Sequence, residues 1–343
     1  MTKKVRSGVC LAYFGIQNNK TVIMRNKTRI SVVMAAIFLW LATFAELNAQ
    51  HYIKIKNTKQ LYRFFERTPD RIPLISAHRG GPTTGYPENC IATFENVIKN
   101  HPALIECDVR QTRDNQLVMM HDRTLNRTTN GEGRVNEKTW AELAQLRLKD
   151  NEGNLTNYKI PTFKDVLNWT KGKTILTLDI KRGVSAKLVV DAIRETCSQA
   201  YVAIIVYNLK DALKFHKLAS KLMLSVSVRN SEDVEALKKS GIPIRQVTCF
   251  AGVGRYEKQE GKGFKLRIKR KLITMLHKLK VSCTVGTMRS IDRAGKKNVE
   301  VFKRVLNDFG GDILATDEPK MAYKAVKAVS PIKSSKAKYF VKK

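Results

Sequence analysis

Two pairs of charged residues, each with its members two positions apart, interrupt apolar segments of this 343-residue sequence. Glu106 and Asp108 lie in LIECDVRQT, and Asp179 and Lys181 lie in TILTLDIKR. Because side chains alternate along a strand, the two members of each pair would share one face. Ion pairs buried inside strands seldom stabilise a protein, so the pattern favours a functional site. Glu106, Asp108 and Asp179 are candidate metal ligands, since Ca²⁺ and Mg²⁺ both prefer oxygen ligands.

Two histidines stand at the ends of predicted strands, His78 in LISAHRG and His121 in LVMMHD. The ordinary pKa of imidazole lies near neutrality, so one ring can act as a base while another acts as an acid. The sequence therefore predicts acid–base chemistry beside a divalent cation. The other histidines lie in polar or helical surroundings and are assigned no role: His51, His101, His216 and His277.

Short β-branched segments alternate with longer segments of helical periodicity. The predicted strands span residues 74–80, 104–112, 117–122, 174–182, 201–207, 223–229, 244–250, 281–288 and 313–319. Strands separated by helices form parallel sheets, and eight or nine such units within about 260 residues favour a closed barrel over an open sheet. The predicted fold is α/β, an irregular (β/α)₈ TIM barrel.

One connection is too short for a parallel barrel. Only RDNQ separates strand 104–112 from strand 117–122, whereas a parallel crossover needs about a dozen residues or more. These two strands are therefore predicted to form an antiparallel hairpin. With its turn centred between Asp114 and Asn115, the hairpin would place Asp108 opposite His121.

The amino terminus has the pattern of a secretory signal peptide. The basic stretch MRNKTR precedes an apolar segment of about 16 residues and then small residues. Residues 1–49 are therefore interpreted as a leader and signal peptide, with Met24 as an alternative start, and the protein as exported, either periplasmic or secreted. An uncleaved membrane anchor is the alternative, although the segment is short for a bilayer span.

The chain after residue 49 is predicted to form a lead-in, a barrel domain and a basic lysine-rich tail: 50–71, 72–325 and 326–343.

The composition is that of a globular protein with a strong basic bias. With 43% hydrophobic residues, 27% charged residues and nine prolines, it excludes collagen and disordered chains. The formal net charge is +33; omitting residues 1–49 removes seven basic residues and one acidic residue and leaves +27. This bias indicates anionic partners. A nucleic-acid partner is not expected, because stacking aromatics are not interleaved with the basic residues.

The cysteines do not indicate a disulfide framework. Five follow residue 49, an odd number, and no CxxC pair occurs among them. This argues against a cysteine-ligated zinc site as well. At least one free thiol is expected.

Six short motifs occur in a fixed order along the predicted barrel. They are HRG at 78–80, PEN at 87–89, ECDV at 106–109, HDRTLNRTT at 121–129, DIK at 179–181 and ATDEP at 315–319. In order and spacing, over roughly residues 72–325, this set resembles the glycerophosphodiester phosphodiesterase family. The resemblance implies an irregular TIM barrel that hydrolyses glycerophosphodiesters to glycerol 3-phosphate and an alcohol with a divalent cation.

The resemblance also implies roles for individual residues. His78 and His121 match the catalytic histidines of the family. Arg79 matches the arginine that contacts phosphate, and Glu106 with Asp108 match metal carboxylates. A phosphodiester gathers negative charge on its non-bridging oxygens in the transition state, so cations must point there.

Three further residues complete the predicted site. Asp179 replaces the glutamate that is the usual third metal ligand of the family, so an altered metal preference is expected. Lys181, on the same face, can bind the substrate phosphate together with the arginine of the HRG motif. Two roles stay open for Glu88: a carboxylate that orients the ligands from behind, or an acid stabilised by the dipole at a helix N-terminus.

The basic composition is compatible with two alternative functions. A related barrel phosphodiesterase acting on another phospholipid headgroup is one alternative, and a non-enzymatic anion-binding protein is a weaker one. The basic segment LITMLHKLK is expected to pack its apolar face on the barrel. Peripheral contact of its lysines, Phe264 and the tail with an anionic membrane is the alternative. No pattern indicates an oligomeric state.

Overall fold

The computed structural model describes residues 50–261 and 263–342, so the predicted leader and signal peptide lie outside the described residues. Within this part of the chain, no helix has both the length and the apolar character needed to cross a membrane. The five cysteines described here are all free thiols, in agreement with the odd count.

Strands and helices alternate along most of the described chain. The strands are β1 His51–Ile53, β2 Leu74–Ala77, β3 Leu104–Gln111, β4 Leu117–Met119, β5 Arg147–Lys149, β6 Leu155–Lys159, β7 Leu176–Ile180, β8 Val202–Val206, β9 Met223–Ser227, β10 Val247–Val253, β11 Arg255–Gln259, β12 Gly263–Arg267, β13 Cys283–Gly286, β14 Ile313–Thr316 and β15 Phe340–Lys342. The α-helices are α1 Thr58–Phe65, α2 Ile91–Asn100, α3 Trp140–Leu143, α4 Phe163–Thr170, α5 Ala186–Glu195, α6 Leu209–Leu218, α7 Ser231–Lys239, α8 Arg270–Lys278, α9 Ser290–Gly295, α10 Glu300–Asn307 and α11 Pro319–Val329.

Eight parallel strands close into a barrel, which confirms the predicted fold. Their order around the barrel is β2, β3, β7, β8, β9, β10, β13 and β14, and β14 pairs with β2 to close the ring. The largest buried cluster joins the outward faces of these strands to the surrounding helices. The barrel is irregular because β4 is an antiparallel addition beside β3.

Local sequence determines where the helices begin and which face they bury. Helix α4 begins at a capping box in which the Thr162 hydroxyl accepts from the Asp165 N–H and the Asp165 carboxylate accepts from Thr162, an arrangement that stabilises a helix by about 1 kcal/mol. Helix α10 places Phe302 and Val305 one turn apart on its buried face. Each such side chain contributes roughly 1.5–3 kcal/mol by leaving water.

The register between β3 and β7 determines which charged residues lie side by side at the same height along the barrel axis. Asp108 lies directly opposite Asp179, and Glu106 lies opposite Thr177. Cys107, between the two acids, faces outward and is fully buried among the helices. The prediction that Glu106 and Asp108 share one strand face is therefore confirmed.

The β3–β4 hairpin is antiparallel as predicted, but its register was predicted wrongly by one residue. Val109 pairs with Met119, and the Met120 N–H donates to the Asp108 carbonyl at 3.0 Å, so Met120 rather than His121 lies opposite Asp108. The prediction assumed a two-residue turn at Asp114 and Asn115. Asn115 adopts a φ of 64°, and the two strands are joined by a three-residue loop instead. Asparagine tolerates this left-handed conformation better than most residues.

The lead-in and the tail meet at the amino-terminal end of the barrel. Strand β1 pairs antiparallel with β15, and the Phe64 ring of α1 lies edge-on to Tyr339 at 5.4 Å. The buried neighbours of α1 include Leu74 and Leu104, the first residues of β2 and β3. This end of the barrel is therefore closed, and the carboxyl ends of the strands are left for a site.

Candidate active site

The three predicted metal ligands converge at the carboxyl-end half of the barrel. Oxygen atoms of Glu106, Asp108 and Asp179 all lie within 4.8 Å of one another. Their exposed fractions are only 8%, 1% and 5%. Because strands β3 and β7 are in register here, the backbone itself holds the acids close.

The residues present fit a divalent cation. Asp179 Oδ1 is buried and has no hydrogen-bond partner among the described residues. Lys181 Nζ lies 2.6 Å from both Asp108 Oδ1 and Asp179 Oδ2, so in this structure the lysine supplies the nearest positive charge. The Asn89 side chain donates to Asp108 Oδ2 at 2.7 Å and accepts from the Asp108 N–H at 2.8 Å. An oxygen-rich pocket with one orphaned oxygen suits Ca²⁺ or Mg²⁺.

The carboxylates differ in how readily they ionise. Burial, followed by the negative charge of Asp108, raises the pKa of Glu106 to about 8. Burial also opposes ionisation of Asp108, but Lys181 and Asn89 outweigh it and lower the pKa of that group. Near neutral pH without a cation, Glu106 is therefore the member that holds a proton.

Cation binding should therefore depend on pH. Since Glu106 has a pKa of about 8, a cation must displace its proton, and the apparent affinity should fall by up to about tenfold for each pH unit below that value. Calorimetric titration with Ca²⁺ or Mg²⁺ at pH about 6, 7 and 8 measures this. Glu106→Gln should bind more weakly and lose most of the pH dependence. An affinity in the native chain that stays constant over this range would contradict the expectation.

His78 follows β2 in a short turn that brings it to the cavity lined by Glu106 and Asp179. Its Nδ1 lies 2.7 Å from Asp317 Oδ1, and an ionised carboxylate can only accept, so the Nδ1–H donates and Nε2 is left for the substrate. Burial would lower the pKa of His78, but the hydrogen bond to Asp317 and the charge of Glu106 outweigh it and raise that pKa. The raised pKa favours the protonated ring.

The HRG turn also positions Arg79. This residue has a φ of 52°, and its N–H donates to Glu106 Oε2 at 2.6 Å. Its guanidinium contacts Glu88 at 3.0 Å, while Nε is buried without a partner among the described residues. At Gly80, a Cβ would lie 2.3 Å from the Phe94 ring, which explains the glycine of the motif. Arg79 therefore retains a donor for a bound anion.

His121 forms a second histidine–aspartate pair beyond β4. Its Nδ1 lies 2.7 Å from Asp122 Oδ1, and its carbonyl accepts from Arg110 at 2.6 Å and 3.0 Å. Arg127 binds Asp122 at 2.6 Å and 3.0 Å and Glu88 at 2.9 Å through both nitrogens. The network fixes the ring, which lies near enough to Asp108 to help lower the pKa of that carboxylate.

Glu88 joins the two halves of this network. It is buried, at 4% exposure, between the guanidinium groups of Arg79 and Arg127. Helix α2 begins later, at Ile91, with Cys90 as its N-cap. Of the two roles left open for Glu88, its contacts favour the orienting carboxylate. The groups that it orients are the guanidiniums of Arg79 and Arg127 and not the predicted metal ligands.

Several residues of the site were not singled out by the sequence analysis. They are Asn89, Asp122, Arg127, Tyr207, Asp292 and Asp317. Tyr207 donates to Asp179 Oδ2 at 2.8 Å, and Asp292 accepts from the Asp317 N–H at 2.7 Å. The sequence signal that could have identified four of them is their place in the motifs. The PEN, HDRTLNRTT and ATDEP motifs contain Asn89, Asp122, Arg127 and Asp317.

Two cavities meet at this site. One, of about 240 Å³, lies inside the barrel and is lined by Glu106, Asp179 and hydroxyl side chains such as Ser225. The other, of about 1370 Å³, is a wide cleft lined by Arg79 and many polar side chains. His78 lines both. A diester bound at the carboxylates can therefore extend one arm into a small chamber and the other into an open cleft.

Comparisons with known proteins agree with this geometry. The profile of the Glycerophosphoryl diester phosphodiesterase family matches residues 78–321. A glycerophosphodiester phosphodiesterase of Caldanaerobacter subterraneus subsp. tengcongensis is 32% identical over 160 residues, which cover 45% of this chain and 65% of that one. The chain thus aligns with less than two thirds of that relative's length.

Solved structures show the same architecture. A glycerophosphoryl diester phosphodiesterase from Parabacteroides distasonis has a TM-score of 0.78 and 37% identity, covering 85% of this chain and 99% of its own. A phosphodiesterase from Oleispira antarctica, solved in complex with the product sn-glycerol-3-phosphate, has a TM-score of 0.54 and 21% identity, covering 75% of this chain and 97% of its own. The second likeness concerns the fold alone.

Proposed function

The chain belongs to the glycerophosphoryl diester phosphodiesterase family, and from this we propose that it hydrolyses glycerophosphodiesters to glycerol 3-phosphate and an alcohol in a reaction that depends on a divalent cation. One observation carries the proposal: three buried carboxylates converge beside two histidines, each bonded to its own aspartate. A related phosphodiesterase acting on another headgroup would differ in the product released.

The cation would be Ca²⁺ or Mg²⁺, held by Glu106, Asp108 and Asp179. When bound, it supplies positive charge to the phosphate oxygens. The chain adds cations of its own, because Arg79 lines the cleft and Lys181 lies at the carboxylates. Both can face the charge that grows on the phosphate in the transition state.

The two histidines divide the proton transfers. His78 has a raised pKa and is the group better suited to protonate the leaving alkoxide. His121 takes a proton from the water that bonds to phosphorus as the bond to the leaving alcohol breaks, while Asp122 holds the Nδ1–H of His121 and leaves Nε2 as the acceptor. Each proton lost by the nucleophile and each gained by the leaving group thus passes through a ring fixed by a carboxylate.

The two cavities suggest how the substrate lies. The chamber of about 240 Å³ matches a small polyol, and Ser225, Ser227 and Thr284 bring hydroxyl groups to its wall. We assign the glycerol arm to this chamber. The open cleft takes the alcohol that leaves.

Turnover of a panel of glycerophosphodiesters tests the proposal. Release of glycerol 3-phosphate is expected from at least one member, with loss of nearly all turnover after chelation and recovery on adding Ca²⁺ or Mg²⁺. Full activity in excess chelator would contradict the metal dependence. Absence of glycerol 3-phosphate from every member would contradict the proposed reaction, and release of a different phosphate ester would favour the related phosphodiesterase.

We also propose export to the periplasm or the medium, supported by the basic stretch and the apolar segment that ends at Ala45. A mature protein that begins between Glu46 and Gln50 is expected from amino-terminal sequencing, and an intact leader would contradict it.

Peripheral contact with anionic membrane is proposed from the net charge and the lysine-rich tail. Sedimentation with anionic but not neutral vesicles tests it.

A further inference from the structure

One wall of the wide cleft carries more positive charge than phosphate binding at the metal ligands requires. Arg255, Arg289 and Arg293 line this cleft together with His78 and Arg79. Arg255 comes from β11, and the other two come from the loop after β13 and from α9. The three arginines are called the arginine wall below.

The acidic residues of the cleft do not neutralise the arginine wall. Glu88 is bound to Arg79 and Arg127, and Asp317 is bound to His78. Glu318 pairs with Lys296 at 3.0 Å, and Glu152 accepts from a threonine hydroxyl on another part of the lining. None of the three arginines forms a salt bridge within residues 50–261 and 263–342. The wall is therefore free to receive an anion from outside the protein.

The protein holds this wall in a constrained conformation. Arg289 has φ 76° and ψ −107°, a backbone region that residues other than glycine rarely adopt. The Ser290 hydroxyl accepts from the Tyr256 N–H at 3.1 Å, which ties the β11 strand to the loop that carries Arg289. Arginines from two separate elements are thus kept on one cleft.

The lining also indicates which headgroups would be disfavoured. No Phe, Tyr or Trp lines this cleft in the described part of the chain, whereas sites for quaternary ammonium groups are typically built from aromatic rings. A choline group would approach uncompensated guanidinium groups and lose affinity by charge repulsion. An anionic group would gain charge-assisted hydrogen bonds.

We propose that the arginine wall selects glycerophosphodiesters whose leaving alcohol carries a second anionic group, such as a phosphate. This inference rests on the proposed function and on the placement of the leaving alcohol in the wide cleft. The reacting phosphate is held at the carboxylates, and the second anion contacts Arg289 and Arg293. The wall affects which substrate is used, not the bond that breaks.

A matched pair of substrates tests the inference. Glycerophosphoinositol and glycerophosphoinositol 4-phosphate differ by one phosphate on the leaving alcohol and release the same glycerol 3-phosphate. The native protein should show a kcat/KM at least about tenfold higher for the phosphorylated substrate, and this preference should shrink as salt is raised. Glycerophosphocholine should be the poorest of the three.

The double variant Arg289→Gln with Arg293→Gln should lose about tenfold or more in kcat/KM for the phosphorylated substrate and less than about threefold for glycerophosphoinositol. A matched control is Lys239→Gln with Arg245→Gln, which removes the same charge from exposed residues outside the cleft lining. Its substrate preference should stay that of the native protein.

The outcomes separate this inference from the proposed function. Equal kcat/KM for the matched pair in the native protein, or equal losses on both substrates in the double variant, would overturn the inference alone. Failure of all three substrates to release glycerol 3-phosphate would overturn the proposed function and the inference with it.

Discussion

Replacing His78 with alanine is expected to lower kcat by roughly 10²–10⁴, the usual contribution of general acid–base catalysis. The ring is fixed by Asp317 at 2.7 Å and lines both cavities, so its loss removes the proton donor without closing the site. Glycerol 3-phosphate release at saturating substrate and cation measures the effect. His121→Ala should show a loss of similar size, because Asp122 holds that ring in the same way.

A conservative change separates catalysis from structure. Asp317→Asn keeps the His78 ring but removes a carboxylate that raises its pKa. A general acid acts only while protonated, so the alkaline limb of the pH profile should move to lower pH in this variant. Cation affinity in His78→Ala should change little, since Glu106, Asp108 and Asp179, the proposed metal ligands, are intact. Retention of more than about a tenth of native kcat in His78→Ala would refute its assigned role.

The parts of the site that could be predicted from the sequence depend on strand parity. Glu106 and Asp108 had to share a face because side chains alternate along any strand, and the parallel register then places Asp179 beside Asp108. The barrel itself followed from alternating strands and helices. The shared face and the barrel need only the alternation of side chains and the order of the elements, whereas the exact β3–β7 register comes from the structure.

The parts that could not be predicted depend on distant contacts and on single backbone angles. Asp317 reaches His78 across 239 positions of sequence, and no local pattern specifies that pairing. The hairpin register depends on the φ of Asn115, and one residue of slip exchanges the residue opposite Asp108. Hydrogen bonds with Asp122 and Arg110 position His121, whereas the β3–β4 strand pairing does not place it opposite Asp108.

Replacing Asp108 with asparagine is expected to weaken Ca²⁺ or Mg²⁺ binding by about 10²-fold or more while changing the stability of the cation-free protein by no more than about 1–2 kcal/mol. Asp108 is 1% exposed, so its charge acts on a cation with little screening by water. Without a cation, the same charge pairs with Lys181 at 2.6 Å and raises the pKa of Glu106. The substitution removes an attraction in the metal-bound state. In the metal-free state it removes both the attraction to Lys181 and the repulsion of Glu106, which partly offset each other, and Lys181 keeps Asp179 as a partner.

Two measurements distinguish this effect from unfolding. Calorimetric titration gives the affinity, and thermal unfolding with and without saturating cation gives the stabilisation by binding, which should nearly vanish in Asp108→Asn. Asp150→Asn is the matched control: Asp150 is also buried, at 5% exposure, but it accepts from the Gly85 N–H and lies outside the carboxylate cluster. That variant should lose stability and keep its cation affinity. If Asp108→Asn binds the cation as tightly as the native protein does, the cluster of Glu106, Asp108 and Asp179 is not the metal site.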